Sequence, residues 1–295
     1  MINQMNQNEN TQNEFSYAIK ELKLGKLLRQ SNITKSCGVP AFEVFQFLLL
    51  LVFQGKNLFR FLNSKHKDQA VSKNTYYRFL NETSYNWKKF LSLLAVKVTT
   101  AFEHLTRPER VTAFVLDDSV VNRNRSKKVE LLARIYDHSE HKYKRGFSML
   151  TLGWTDGYSF VPVGFNMLSS ANKSNRYQEM SDIDHRTNGY KVRRDSMLSK
   201  PEAAIKLISE ALNAGILADY VLMDTWFTTE PMIQSILELG LDVIGMVKQL
   251  KQRYYFNGKA YTLPELQKFV NYNGASNIFG SLLVTTKKGI PVRIV

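Results

Sequence analysis

Two short apolar segments of the sequence end in aspartate: VTAFVLDD at Val111–Asp118 and DYVLMD at Asp219–Asp224. Both are rich in β-branched and large apolar residues, which favours buried strands. A carboxylate that follows a buried strand is costly unless a partner balances its charge, and Mg²⁺, which prefers oxygen ligands, is a suitable partner. The sequence therefore predicts carboxylates at the carboxyl ends of two strands, where open α/β sheets bind ligands.

A purely structural role for these aspartates stays open at this point. An aspartate after a strand commonly forms a turn or caps a helix, and Asp224 precedes Thr225-Trp226-Phe227, where it could do so. Two such strand ends in one basic chain favour metal binding over the structural role.

The segments around them predict the rest of a sheet. Further strands are expected at Phe147–Trp154, Tyr158–Phe165 and Leu241–Val247, with Asp156-Gly157 as a tight hairpin turn. Helices are expected at Lys200–Ala214, with Pro201 in the first turn, and at Glu230–Leu239, with Gly240 at the C-cap. This order predicts an α/β fold with a mixed sheet whose later strands are parallel.

Four regions follow one another along the chain. Residues 1–14 are rich in Asn and Gln and are expected to be disordered. Residues 15–107 have helical periodicity and predict an all-helical domain, with helices at Tyr17–Leu28, Phe42–Phe53, Leu58–Leu62, Lys73–Leu80 and Trp87–Phe102. Pro108 marks the boundary to the α/β core at 108–249. Residues 250–295 are β-rich, with strand-like pieces at Tyr254–Phe256, Lys259–Thr262, Ser281–Thr286 and Val292–Val295 and turns at Gly258, Gly274 and Gly289.

Composition narrows the class of protein. Hydrophobic residues make up 44% of the 295 residues, which argues against wholesale disorder. Lys and Arg total 40 against 26 Asp and Glu, so the net charge of +14 indicates an anionic partner, nucleic acid first, although a basic enzyme without a polyanion remains an alternative. The single Cys37 fits a reducing compartment, and the apolar run Phe47–Phe53 is too short to cross a bilayer. We expect a cytoplasmic, nucleoid-associated protein.

Three groups of side chains are candidates for contact with DNA. The first is a basic segment after the first strand, with Arg123, Arg125, Lys127, Lys128, Arg134, Lys142, Lys144 and Arg145; a solvated loop is the equal alternative. The second is Tyr76 and Arg78, near the start of a short helix that Ser72 could cap. The third is Trp226, which could stack on a displaced base, although such a residue is more often in the core. Lys191, Arg193 and Arg194 form a weaker patch in a polar stretch expected to be mobile.

At its acidic strands the sequence resembles the DDE transposases of bacterial insertion sequences, which are cut-and-paste enzymes with an RNase H-like core. The resemblance covers roughly Val111–Val295. It is carried by VLDDSVVNR at Val115–Arg123 and the RSKKVEL that follows, by YDHSEHKYKRGFSMLTLGWTDGYSFVPVGF at Tyr136–Phe165, by ADYVLMDTWFTTEPMI at Ala218–Ile233, and by LGLDVIGMVK at Leu239–Lys248.

The resemblance implies the two catalytic aspartates. The first family aspartate precedes a small hydroxyl residue and corresponds to Asp118, before Ser119, with Asp117 as the alternative. The second ends the fourth strand of the core and corresponds to Asp224.

The family's third carboxylate is a glutamate in a Tyr-x2-Arg-x3-Glu-x6-Lys pattern on a helix beyond a β-rich insertion. No such pattern follows Asp224. Glu265 lies within the insertion-like region without the Tyr and Arg, and Glu230 and Glu238 come too early. We therefore expect that the chain ends inside the insertion, before the third carboxylate, and a catalytically inactive truncated copy stays open as an alternative.

The resemblance also implies the chemistry. Asp118, Asp224 and a glutamate would hold two Mg²⁺ or Mn²⁺ ions. Water would first hydrolyse a phosphodiester at the end of an insertion sequence, and the freed 3′-hydroxyl would then attack target DNA. The partners would be double-stranded DNA, at the terminal repeats and the target, and a second copy of the chain on that DNA. A non-catalytic DNA-binding remnant and a metal-dependent nuclease remain alternatives.

Overall fold

A computed structural model describes residues 14–105, 107, 109–248, 252–270 and 278–295. Residues 1–13 of the predicted disordered tail, the predicted boundary at Pro108 and the predicted turn at Gly274 lie outside the described residues. None of the helices in the described ranges is long and apolar enough to span a bilayer.

The N-terminal region is helical, as predicted. Residues 14–21 form α1, followed by α2 at Leu24–Gln30, α3 at Ala41–Phe53, α4 at Leu58–Leu62, a 3-10 turn at Lys67–Gln69, α5 at Lys73–Leu80 and α6 at Trp87–Glu103. The apolar faces of these helices meet in one core that contains Leu28, Ile33, Val44 and Phe79.

Two local predictions in this region were wrong. The single helix expected at Tyr17–Leu28 breaks where Lys23 adopts a left-handed conformation with φ of 51°, which interrupts the run of helical hydrogen bonds. Ser72 occupies the N-cap position of α5, but its hydroxyl makes no capping hydrogen bond and pairs instead with the Thr75 hydroxyl at 3.0 Å.

The second region contains a six-stranded mixed sheet. Its strands are β1 at Ala113–Asn122, β2 at Ala133–Asp137, β3 at Lys142–Thr155, β4 at Phe160–Leu168, β5 at Tyr220–Met223 and β6 at Asp242–Gly245. The order is β2-β3-β1-β5-β6, with β4 also paired to β3. Strands β1, β3 and β4 are antiparallel neighbours, whereas β5 and β6 run parallel to β1. The predicted α/β fold with an RNase H-like mixed sheet after a helical region is confirmed.

Helices α8 at Lys200–Asn213 and α9 at Glu230–Glu238 cover one face of this sheet. Helix α8 begins with a capping box between Ser199 and Glu202, which satisfies free backbone donors at its first turn. The buried core between sheet and helices contains Phe114, Leu116, Leu150, Trp154, Ala204, Ile208 and Ile236. This packing fixes the carboxyl ends of β1 and β5 relative to the start of α8.

Three features of the sheet region differ from the prediction. Strand β1 does not end at Asp118 but continues to Asn122, because its last residues stay paired with β3 as far as Gly146. Strand β2 was not predicted. The stretch expected to be mobile contains helix α7 at Asn188–Asp195, whose start is held to the helical region by hydrogen bonds from Asn188 Nδ2 to Ser84 O and from Gly189 N to Thr83 O.

The β-rich region forms a separate four-stranded sheet, in the order β10-β9-β7-β8. Its elements are β7 at Tyr254–Phe256, β8 at Lys259–Tyr261, α10 at Leu263–Leu266, β9 at Leu282–Thr285 and β10 at Pro291–Ile294. It contacts α9 through the Lys288 amide, which donates to Glu230 Oε1 at 2.7 Å. The four strands predicted here are confirmed.

Candidate active site

The acidic residues lie at the junction of the parallel strands β1 and β5. Leu116 pairs with Met223 at the last register position that the two strands share. Asp117 and Asp224 each follow directly, and Asp118 is one residue further along β1. Neighbouring strands lie about 4.8 Å apart, so the backbones that carry these carboxylates are adjacent at one edge of the parallel part of the sheet.

The two aspartates of β1 belong to opposite faces of the sheet, because side chains alternate along a strand. Asp118 shares the face of Leu116, which packs into the core beneath the helices. Asp117 lies on the other face and is exposed.

Asp118 is partly buried beside a lysine. Its side chain is 17% exposed, and its Oδ2 accepts hydrogen bonds from Lys200 Nζ at 2.6 Å and Ser148 Oγ at 3.0 Å. Lys200 is the first residue of α8, and Ser148 lies on β3 beside β1. One oxygen of the Asp118 carboxylate is therefore already matched by a positive charge.

Asp224 stabilises the turn that leaves β5. Its Oδ1 accepts from the Trp226 amide at 2.9 Å, and its backbone carbonyl accepts from the Thr228 hydroxyl at 2.7 Å. The turn-forming role that the sequence also allowed for Asp224 therefore accounts for Oδ1, one of its two carboxylate oxygens. Among the described residues, nothing donates a hydrogen bond to Oδ2, and this oxygen is available to a further partner.

The residue types at this edge fit a divalent cation. Carboxylate oxygens such as those of Asp118 and Asp224 are the donors that Mg²⁺ and Mn²⁺ prefer, whereas Asp117, on the opposite face of β1, cannot share an ion with Asp118. The Lys200 ammonium shows that the Asp118 carboxylate already pairs with a positive charge. Among the residues that the structure describes, however, no three His, Cys, Asp or Glu side chains are grouped closely enough to hold a metal ion.

Trp226 lies beside these carboxylates and is 47% exposed. Lys200 Nζ and Lys248 Nζ lie 5.3 Å and 5.9 Å from the centroid of its ring. The ring of His138, in the turn between β2 and β3, is 4.8 Å away between centroids. Trp226 is therefore a surface residue among cations, and not a core residue.

The predicted basic segment divides into free and paired side chains. Arg123, Arg125, Lys127 and Lys128 are all exposed in the loop after β1. Lys144, by contrast, is 10% exposed and bonds to Asp137 Oδ2 at 2.7 Å, and both Lys144 and Lys142 pair with Glu140. The charge of these two lysines is already balanced, whereas Arg145 is exposed and stacks on the Tyr177 ring.

The two residues singled out on α5 have different environments. Tyr76 is 2% exposed, packs on Phe47 with ring centroids 4.9 Å apart, and accepts a hydrogen bond from the Val71 amide. Its ring belongs to the core of the helical region and cannot reach DNA without unfolding that core. Arg78 and the neighbouring Tyr77 are exposed on the surface of the helix.

Comparison with known proteins places this geometry in a family. The family model described as DDE superfamily endonuclease matches residues 47–266, a range that includes both acidic strands. The chain belongs to the DDE superfamily endonucleases. The resemblance inferred from the sequence is thereby confirmed, and the aspartates of β1 and β5 lie inside the matched range of this DDE-family chain.

Two solved structures are similar to this DDE-family chain at low identity. One is the Drosophila P element transposase strand transfer complex, with 12% identity, a TM-score of 0.35, and coverage of 83% of this chain and 52% of that one. The other is the piggyBac transposase synaptic complex with hairpin DNA, with 13% identity, a TM-score of 0.32, and coverage of 92% and 50%. The chain thus spans about half the length of either transposase. No curated protein matches the sequence.

Several residues around the site were not predicted. Lys200 was seen only as the start of a helix, because the sequence does not reveal that the start of α8 faces Asp118. The ring contacts that bring Tyr143, Tyr136 and His138 towards Trp226 were not predicted either. The alternation Arg-x-Tyr at Arg134–Tyr136 and Tyr-x-Arg at Tyr143–Arg145 was the signal that could have found them, since it predicts a hairpin with these side chains on one face.

Proposed function

We propose that this chain is a DNA transposase that acts by metal-dependent phosphodiester hydrolysis and strand transfer at the ends of an insertion sequence. The observation that supports it best is the register of β1 and β5, in which the acidic residues follow the last shared pair, Leu116 and Met223. Membership of the DDE superfamily endonucleases supports the same reaction class.

The proposed ligands of Mg²⁺ or Mn²⁺ are Asp118 and Asp224, and Asp117, on the opposite face of β1, is the alternative to Asp118. When bound, such ions activate water and stabilise the leaving oxygen of a phosphodiester. The chain's own contribution is to hold the two carboxylates through β1 and the Asp224 turn. Lys200 pairs with Asp118, and it would be free to bind a phosphate oxygen if a cation took its place.

DNA is the proposed partner because exposed cationic side chains follow β1 beyond its aspartates. Exposed Arg123, Arg125, Lys127, Lys128 and Arg145 would contact phosphates, and Trp226 offers an exposed ring beside Asp224. Lys142 and Lys144 belong to the same proposed surface. Because both pair with Glu140, they are expected to contribute less to DNA binding than the exposed arginines and lysines. Arg78 on α5 would add a contact from the helical region. Binding by such a surface weakens steeply as salt rises, and a homodimer on DNA is the proposed assembly.

A second candidate function is DNA binding without cleavage. It is favoured by the observation that no third acidic side chain joins Asp118 and Asp224 among the described residues. A metal-dependent nuclease without strand transfer is the third candidate.

The test uses the full chain and a DNA fragment that contains its own gene with both flanks, incubated with and without Mg²⁺ or Mn²⁺. Metal-dependent nicks at fixed flanking positions, with joined products in added target DNA, are expected for the parent chain and not for Asp224→Asn. Asp242→Asn is the matched control, because Asp242 lies at the opposite end of the neighbouring strand β6.

The same assay separates the alternatives. Cleavage without joined products would replace the transposase by a nuclease. Retention of the DNA without metal-dependent cleavage would replace it by the binding protein. Absence of both binding and cleavage would overturn all three.

A further inference from the structure

The hairpin of β2 and β3 carries arginine and tyrosine in matched positions on one face. Arg134 lies opposite Arg145, and Tyr136 lies opposite Tyr143. Side chains two residues apart on a strand share a face, so the two pairs form a small basic and aromatic surface. None of the expected catalytic residues belongs to it.

Next to this surface is an open cavity of about 380 Å³ lined by Asn124, Arg134, Tyr143, Lys144, Arg145 and Tyr177. Tyr143 is 57% exposed and Tyr177 is 42% exposed. The guanidinium of Arg134 lies 3.8 Å from the centroid of the Tyr143 ring, and that of Arg145 lies 4.3 Å from the centroid of the Tyr177 ring.

The two arginines keep their charge available. Among the described residues, neither is in an ion pair, whereas nearby Lys144 is paired with Asp137 and Glu140. Each guanidinium is held in place by the ring beneath it, so it is pre-organised to meet an anion. The cavity thus combines aromatic rings with unpaired positive charge, which are the two elements of sites for unpaired nucleotides.

A series of ring contacts connects this cavity to the end of β1 and β5 where Asp118 and Asp224 lie. Tyr143 and Tyr136 have centroids 5.1 Å apart, Tyr136 and His138 4.9 Å, and His138 and Trp226 4.8 Å. Lys200, which bonds to Asp118, then lies over Trp226. A DNA strand that follows these rings would pass from the cavity to Asp118 and Asp224.

We propose that the cavity between Tyr143 and Tyr177 binds one unpaired nucleotide of DNA, with its base stacked on a tyrosine ring and its phosphate bound by Arg134 or Arg145. This rests on the proposed function, in which the chain acts on DNA. The size of the cavity is near the lower end of the range of about 300–1,000 Å³ for small-ligand sites, which suits a single nucleotide and not a duplex. A paired base has no free face to offer, so stacking selects a base that has left the helix.

The test compares two DNA probes in metal-free buffer at low salt. One is a fully paired duplex, and the other is the same duplex with one bulged 2-aminopurine. The parent chain is expected to bind the bulged probe about tenfold more tightly, the effect of one stacked base, and to quench the 2-aminopurine fluorescence. Tyr143→Ala and Tyr177→Ala are expected to remove most of the preference and the quenching, because they weaken binding of the bulged probe more than binding of the paired duplex, and Tyr143→Phe is expected to retain both.

Tyr158→Ala is the matched control, because Tyr158 is 86% exposed and also stacks on an arginine, Arg110 at 4.1 Å, away from the cavity. Equal affinity for the two probes without quenching would overturn the nucleotide site and leave the DNA function standing. Failure of the parent chain to bind either probe would overturn both. Loss of preference in Tyr158→Ala as well as in the cavity variants would show that the tyrosines act nonspecifically, which also overturns the site.

Discussion

Asp118 and Asp224 differ in how their negative charge is compensated. Asp118 is partly buried against the Lys200 ammonium, whereas Asp224 uses one oxygen to accept the Trp226 amide. A lysine that is bound to a carboxylate competes with any metal ion for the same oxygen. A divalent cation that binds Asp118 must therefore outweigh the free energy of the ion pair between Lys200 and Asp118.

The first prediction concerns this competition. Lys200→Gln removes the ammonium from Asp118 and is expected to raise the affinity for Mn²⁺ about fivefold, the equivalent of a partly exposed ion pair of about 1 kcal/mol. The measurement is Mn²⁺ titration followed by calorimetry. Lys206→Gln, on the same helix but paired with Asp195, is expected to leave the affinity unchanged. Weaker Mn²⁺ binding by Lys200→Gln would show that the lysine supports the site and does not compete for it.

The two carboxylates could be predicted from the sequence, whereas their hydrogen-bond and ion-pair partners could not. Asp224 was recognised because a strand of core residues directly precedes it, a pattern visible along the chain. The contact between Asp118 and Lys200 joins residues 82 positions apart. It depends on how α8 packs on the sheet, which no local pattern specifies. Tyr76 illustrates the converse, because its neighbours suggested an exposed helix start, whereas packing on Phe47 buries the ring.

At the scale of elements, the turn of the hairpin between β2 and β3 is held by one carboxylate. Asp137 Oδ1 accepts from the amides of Ser139 and Glu140, and its Oδ2 binds Lys144. The Lys144 hydrogen bond is the largest of the effects that hold the pKa of Asp137 below its ordinary value. The hairpin that carries Tyr143 and Arg134 is thus stabilised by an ionised aspartate.

The second prediction is the pH dependence of this hairpin. A carboxylate whose pKa is lowered by folding contributes its full stability above its ordinary pKa of about 4, and loses it as pH falls through the lowered value. Melting temperature measured against pH is therefore expected to fall less steeply below about pH 4 in Asp137→Asn than in the parent. The exposed Asp182→Asn is the control and is expected to follow the parent. Identical acid limbs for all three proteins would refute the assigned role of Asp137.

The third prediction concerns Gly146, at the point where β3 passes from β2 to β1. A Cβ on Gly146 would lie 2.1 Å from the backbone oxygen of Val121 on β1. Backbone atoms cannot move aside without breaking the ladder, so Gly146→Ala is expected to cost about 2–3 kcal/mol in the free energy of unfolding, measured by urea denaturation. Gly25→Ala, where the new Cβ meets Phe42 at an ordinary 3.5 Å, is expected to be neutral or stabilising. A neutral Gly146→Ala would contradict the register of β1 and β3.

Helices and strands were predicted correctly where the local sequence also contains the turn or cap residues that bound them. Strand β4, helices α8 and α9 and the four β-rich strands all have their own turns or caps. Strand β2 was missed because its alternation of Arg, Ile and Tyr looks polar and becomes a strand only by pairing with β3. The length of β1 was underestimated for the same reason, since Ser119 to Asn122 are held by partners on β3.

At the scale of the whole molecule, a buried ionic cluster joins the helical region to the sheet region. Lys88 on α6 lies 3.9 Å from Asp195 at the end of α7 and also binds Asn166 on β4. Lys206 on α8 binds the same carboxylate. Burial is the main cause that lowers the pKa of Lys88. Asp195 is therefore the common partner of lysines from two regions.

The fourth prediction follows from this cluster. Asp195→Ala leaves two partly buried lysines without their carboxylate and is expected to destabilise the fold by about 2–3 kcal/mol, measured by urea denaturation. Asp184→Ala removes an exposed pair with Arg186 and is expected to change the stability by less than about 0.5 kcal/mol. Equal effects of the two substitutions would show that the cluster does not couple the regions. Lys88 and Asp195 are more than a hundred positions apart in the sequence, so the sequence could not reveal this cluster.

The proposed function depends on one property, that Asp118 and Asp224 bind a divalent cation together. Mn²⁺ binding to the full chain, measured by calorimetry, tests it most directly. We predict saturable binding by the parent, a loss of at least about tenfold in affinity for Asp118→Asn and for Asp224→Asn, little further loss in the double variant, and unchanged affinity for Asp242→Asn. Binding that persists unchanged in both single variants, or a parent chain that binds no Mn²⁺, would contradict the proposed metal site.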